Sequence, residues 1–160
     1  MAVILSDEEI TNLLAEAKPL PDNFRAKIQV RPKRGHKESE LDIKGDYDSD
    51  FRLIVRQSLI NAFDFSIILT YMPPKSNQLF RLRRYNGKSH EHTNCMENET
   101  FYDYHIHYAT ERYQEIGARE DSYAEATDRF ADLQQAITCM IQDCGFQLPP
   151  DPQGRLFEDK

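Results

Sequence analysis

Apolar residues recur with a helical period at both ends of this chain and with a period of two between them. At the start, Ser6 and Glu9 have the spacing of a capping box, and Asp7 and Glu8 suit the positive end of a helix dipole. Ile10, Leu13, Leu14 and Ala17 form one stripe, and Pro19 and Pro21 stop it, so the pattern predicts a helix over residues 6–17. Near the other end Asp132 and Gln135 repeat the cap. Leu133, Ala136, Ile137, Met140, Ile141 and Cys144 supply the stripe there, and Gly145 the stop.

Six alternating runs lie between the helices. Phe24, Ala26, Ile28 and Val30 alternate with Arg25, Lys27, Gln29 and Arg31, and Pro32 to Gly35 turns the chain. Leu41 and Ile43 mark a second strand ending near Gly45, and Phe51, Leu53 and Val55 a third. Phe63, Phe65, Ile67, Leu69 and Tyr71 make a fourth, closed by Met72-Pro73-Pro74. Phe80 and Leu82 alternate with Arg81, Arg83 and Tyr85 in a fifth, and Asn86-Gly87 is a turn signal. Residues 88–100 read as a polar loop, and Phe101 to Tyr108 as the sixth strand. Ala109 to Ile116 fits a short helix closed by Gly117, 118–122 an exposed acidic link, and 123–130 an edge strand or extended linker.

The expected architecture is α+β: an antiparallel sheet of five or six strands, with the N-terminal and C-terminal helices packed on one face and the other face open. Residues 1–148 form a single domain in this reading, with 149–160 as a loosely ordered tail.

Charge and cysteine usage narrow the classes. The net charge of −7 argues against a dedicated DNA-binding protein. Its distribution is uneven: basic residues gather between Arg25 and Lys88, acidic ones at both ends and from Glu97 to Asp132. No apolar run approaches the ~20 residues of a membrane span, and the N-terminus lacks a signal-peptide pattern. Cys95, Cys139 and Cys144 are an odd set without a Cys-x-x-Cys, which fits a reducing, cytoplasmic location. There is no Gly-rich phosphate loop, no His-Glu-x-x-His and no Gly-x-Ser-x-Gly.

The candidate chemistry lies between Tyr85 and Tyr108, which hold four of the five histidines as two His-x-His pairs, His90/His92 and His105/His107. In a strand, Asp103, His105 and His107 share one face, and Tyr102, Tyr104, Ile106 and Tyr108 the other. The same alternation puts Arg25, Lys27, Arg52, Arg56, Arg81 and Arg83 on the open face as a phosphate-binding platform. Arg112, after the sixth strand, reaches the same region. Three readings of the histidines stand side by side: ligands of a transition metal, acid and base for metal-free RNA cleavage, or hydrogen-bonded structural groups.

The order Arg84-Tyr85-Asn86, then His90, then His105-x-His107, then a closing amphipathic helix resembles the TumE-like toxins of bacterial toxin–antitoxin loci, and an uncharacterised bacterial and phage family of similar length, over residues 62–146. The resemblance implies a toxin–antitoxin or phage-defence ribonuclease, with Arg84, Tyr85, His90, His105 and His107 as its site and a cognate antitoxin as partner. The expectation from sequence is thus a metal-independent endoribonuclease without cofactor. His105, His107, Tyr85 and Arg84 would be catalytic, with His90, His92, Asp103 and Arg112 beside them. A non-enzymatic acidic inhibitor of a nucleic-acid-handling protein is the alternative, and a homodimer is left open.

Overall fold

The computed structural model describes residues 4–150. In chain order its elements are α1 (Asp7–Ala15), β1 (Lys18–Pro19), α2 (Phe24–Lys27), β2 (Arg31–Lys33), β3 (His36–Lys44), β4 (Asp50–Ser58), β5 (Phe65–Met72) and β6 (Phe80–Asn86). There follow β7 (His92–Asn94), β8 (Glu99–Phe101), β9 (His105–Tyr108), α3 (Glu111–Glu115), β10 (Tyr123–Ala126), α4 (Leu133–Asp143) and β11 (Phe146–Gln147). The fold is α+β. Its main sheet has seven strands rather than five or six, in the order β10-β9-β6-β5-β4-β3-β2, and every neighbouring pair is antiparallel.

The core lies on one face of this sheet. Leu41, Ile43, Phe51, Leu53, Val55, Phe65, Ile67 and Leu69 point into it from β3, β4 and β5. The buried stripe of α4 (Ala136, Ile137, Met140) packs on β5 and β6, and Ile10 of α1 joins the same cluster. Both caps form: Ser6 and Glu9 make the reciprocal box, and Asp132 accepts from the Gln135 amide. Among the described residues no helix is long and apolar enough to cross a membrane.

Lys18 joins the two helical ends. Its ammonium is fully buried and lies 2.7–3.0 Å from the carbonyls of Leu13, Leu14, Glu16 and Cys144. Those carbonyls close α1 and α4, where the helix dipole is negative and the last acceptors need donors. Burial is the largest influence on Lys18 and pulls its pKa down to about 8, while nearby Cys144 and Glu16 pull it back up.

Three sequence expectations change. The first predicted strand is instead the short helix α2, and Phe24 and Ile28 bury one turn apart. Arg25 and Lys27 therefore sit exposed on that helix and not on the sheet. Residues 88–100 contain the β7–β8 hairpin rather than open loop. The sixth strand is shorter than predicted: Phe101 belongs to β8, and β9 begins at His105. Of the predicted tail, 151–160 lies outside the described residues.

Candidate active site

A bulge in β6 decides what faces the histidines. Leu69 of β5 pairs with Arg83, but the next residue, Thr70, pairs with Arg81, which leaves Leu82 as an extra residue. A one-residue slip reverses the alternation. Arg83 and Tyr85 therefore turn to the core face, against the sequence expectation, and Arg84 and Asn86 turn to the other. Tyr85 is fully buried and its hydroxyl donates to Asp143 at 2.6 Å. The Arg83 guanidinium lies 4.6 Å from the Tyr108 ring centre.

In β9 the register sets His107 beside Arg84 and His105 beside Asn86. The predicted alternation holds there: Ile106 enters the core, and His105 and His107 face away from it. That side is not open at this point. The β7–β8 hairpin covers it, so His105 and His107 are only 1% and 4% exposed. The hairpin is tied down by Asn94, which accepts from the Ala124 amide at 2.9 Å and donates to its carbonyl at 2.7 Å. Tyr113 of α3 adds a second tie, donating to Glu97 and accepting from the Met96 amide.

The hairpin delivers His92. Its ring centre is 5.4 Å from that of His105 and 4.8 Å from that of His107, and those two are 5.0 Å apart. One ring nitrogen from each histidine lies within 4.8 Å of the others, a set of the kind that can hold a metal ion. The three rings line a cavity of about 290 Å³ together with Arg84, Arg119 and Asp121.

Hydrogen bonds fix the ring nitrogens. His105 Nδ1 and His107 Nδ1 each lie 2.7 Å from a backbone carbonyl, of Asp103 and Asp121 respectively. A carbonyl only accepts, so both Nδ1 atoms carry hydrogen and both Nε2 atoms keep a lone pair in the neutral ring. His92 Nε2 lies 2.8 Å from Asn94 Oδ1. The Ala124 backbone fixes the orientation of that amide, so His92 donates through Nε2 and keeps its lone pair on Nδ1.

Burial, first of all, holds both inner rings neutral. It lowers His105 to about 4, with the Asp103 carbonyl opposing and His92, Arg84 and His90 adding to it. It lowers His107 to about 2, with the charges of Arg84, His105 and His92 acting in the same direction.

Beside the rings lies an arginine cluster. Asp121, fully buried, meets Arg84 Nε at 3.1 Å, Arg81 Nε at 3.3 Å and Arg119 Nε at 3.9 Å. Glu120 takes Arg81 as well, at 3.3 Å. Three guanidiniums against two carboxylates leave an excess positive charge. Burial lowers the Arg84 pKa most, Asp121 opposes this, and Arg119 and Arg81 reinforce it. The expected exposed acidic link 118–122 is thus the wall of the site at Asp121.

The chain also has a family. Residues 5–145 match the profile of a family of unknown function, DUF6978. The chain belongs to that family. No curated protein matches it, and no solved structure does.

In this DUF6978 protein the remaining predicted residues disperse. Arg52 and Arg56 stay on the sheet face opposite the core, but Arg52 pairs with Asp42 at 2.7 Å and Arg56 with Glu38 at 3.2 Å across β3. Exposed His90 borders the cavity mouth and shares a hydrogen bond with Ser89. Exposed Asp103 serves the site through its backbone carbonyl. Arg112 pairs with Glu97 and lies against the Tyr123 ring. The sequence reading assigned no site role to Asn86, marked there only as a turn and motif residue, nor to Asn94, Arg119 or Asp121. One signal existed for Asn94: His92-Thr93-Asn94 and Glu99-Thr100-Phe101 flank a turn at Asn98, whose positive φ of 56° Asn tolerates.

Proposed function

We propose that this protein binds and cleaves a phosphate ester in the cavity between β6, β9 and the β7–β8 hairpin. RNA is the substrate class that the resemblance to toxin–antitoxin ribonucleases adds, with a cognate antitoxin as the corresponding partner. One observation carries the reading: Arg84 and Arg119, crowded onto Asp121, share a cavity with His92, His107 and a His105 whose Nε2 takes only a long 3.4 Å contact from Asn86.

The arginine cluster has one guanidinium more than carboxylates to balance it, so an anion completes it. Arg84 spends its Nε on Asp121, and among the described residues its two terminal nitrogens have no hydrogen-bond partner. That half of the fork fits phosphoryl oxygens. Neutral His105 offers its Nε2 as the base in attack by a 2′-hydroxyl on its own phosphodiester, while His107, held down to about 2, is too weak a base for that role. At neutral pH neither is an imidazolium, so neither can protonate the leaving oxygen. Stabilisation of that oxygen has to come from elsewhere.

The test is cleavage of a labelled single-stranded RNA by wild type, Arg119→Met and His105→Ala, with EDTA and with added zinc. Arg119 is solvent-facing, so its loss leaves the fold intact. Cleavage in at least one of the two conditions, reduced roughly tenfold by Arg119→Met and abolished by His105→Ala, supports the reading. Cleavage in neither condition, or unchanged cleavage by both variants, sinks it.

A further inference from the structure

Structural histidines commonly spend both ring nitrogens on neighbours. Here three imidazoles meet, each with one nitrogen donating to an acceptor that cannot donate back: the Asp103 carbonyl, the Asp121 carbonyl and the oriented Asn94 amide oxygen. The other nitrogen of each is left as an electron pair. His105 Nε2 has only a long contact, 3.4 Å from the Asn86 side-chain amide. With His105 and His107 almost fully buried and His92 half-buried over them, lone pairs gathered this closely repel one another and give up part of their hydration, a poor arrangement unless something positive sits among them. Hydrogen bonding through the far nitrogen is also how metal-ligating histidines are oriented and made more basic.

From this geometry we infer that His92, His105 and His107 form a transition-metal centre, binding zinc or a similar ion through His92 Nδ1, His105 Nε2 and His107 Nε2. The inference rests on the phosphate-ester reading and changes its chemistry. Nε2 lone pairs given to the ion no longer act as the base, and the ion would supply both the electrophile and the activation of the nucleophile. The metal site itself stands on its own residues.

The dimensions fit with small adjustment. Nitrogens bound tetrahedrally at ~2.0–2.1 Å stand roughly 3.3 Å apart. One nitrogen of each ring lies within 4.8 Å of the others, so modest ring movements would bring the set to bonding distance. Neutral imidazoles suit zinc, copper, nickel and iron, and three protein ligands leave a coordination position for water or a substrate oxygen. That position opens on the cavity shared with Arg84 and Arg119. A phosphoryl group has enough oxygens to touch the ion and both guanidiniums at once, where a carboxylate has two. The ion would polarise the phosphoryl oxygen, work that the neutral histidines cannot do.

The experiment is calorimetric titration of zinc into EDTA-stripped protein, followed by inorganic phosphate into the same samples. Wild type is compared with His92→Ala and His36→Ala. His92 lies on the covering hairpin and is only half-buried, so its loss tests the site without opening the core. His36, on β3, is the control for surface zinc binding. Binding of one zinc per chain, weakened about a hundredfold or more by His92→Ala and unchanged by His36→Ala, is the expected result. Zinc affinity that is equal in wild type and His92→Ala overturns the metal centre. The phosphate arm reports separately. Zinc without phosphate binding keeps the metal centre and removes the phosphate-ester reading, and phosphate without zinc binding does the reverse.

Discussion

At the scale of single residues, the site depends on which nitrogen of each ring holds its hydrogen, and Asn94 is the least obvious determinant. It reads the Ala124 backbone on one side and fixes the His92 tautomer on the other. Asn94→Asp keeps the acceptor for His92 but loses the donor to the Ala124 carbonyl, whereas Asn94→Leu loses both. Asn94→Leu is expected to weaken zinc binding by about 10–100-fold, and Asn94→Asp by less. Equal affinities in wild type and Asn94→Leu would remove Asn94 from the account.

The buried rings also predict a pH dependence of folding. His105 and His107 have folded-state pKa values near 4 and 2, below the ordinary value of 6.5. The unfolded chain therefore takes up protons first as pH falls. In metal-free protein the histidines' contribution should be fully present above about pH 6.5 and be lost progressively from there towards pH 4 and below. Glu38 is held down to about 2, chiefly by its hydrogen bond from His36, so its stabilising contribution is lost only below the ordinary carboxylate range. Between pH 5 and 6.5 the histidines thus act largely alone. Urea midpoints across pH 5–8 should fall towards the acid side, and less so in His105→Gln. A level midpoint across that range would contradict the burial of these rings.

At the scale of elements, the strands were legible where the core face enforced alternation, even though Ile54 and Ile68 are buried on the opposite face too. Phe51, Leu53 and Val55, or Ile67 and Leu69, admit only one register with the core. The two helical caps were legible for the same reason, as short-range hydrogen-bond patterns. The reading failed at β6, because a bulge is set by the partner strand and leaves no trace in Arg81-Leu82-Arg83-Arg84 alone. It failed at α2 because Phe24 and Ile28 satisfy both periods, and only tertiary packing chooses. Half of the site follows from β9, which alternates as expected. The other half, His92 and Asp121, comes from segments whose polar composition hides that they are pinned against the sheet.

Two variants separate fold from site at this scale. Tyr85→Phe removes the hydroxyl that reaches Asp143 and should cost about 1–2 kcal/mol of stability. It should leave zinc and phosphate binding unchanged, because its side chain lies on the far side of the sheet from the histidines. A loss of either ligand in Tyr85→Phe would return Tyr85 to the site. Lys18→Met leaves the carbonyls that end α1 and α4 without their shared donor, and should cost about 3 kcal/mol by urea unfolding. A change under ~1 kcal/mol would mean that the two helix ends do not depend on it.

At the scale of the whole molecule, one face of the sheet builds stability and the other builds the site. Helix α4 seals the first. On the second, the β7–β8 hairpin and the segment at Asp121 enclose one corner, and the acids of β3 balance the nearby arginines Arg52 and Arg56. The net charge of −7 and the locally cationic cavity are compatible because the arginines that matter are gathered on a single buried carboxylate. In this proposal a metal ion and a phosphate group meet in one cavity. Their meeting is tested most directly by the ³¹P relaxation of inorganic phosphate in the presence of protein loaded with cobalt(II) and dialysed free of excess ion. Strong broadening is expected with wild type, weaker broadening with Arg119→Met and none with His92→Ala, which would retain no cobalt through dialysis. A phosphate line as narrow with wild type as with His92→Ala would contradict it.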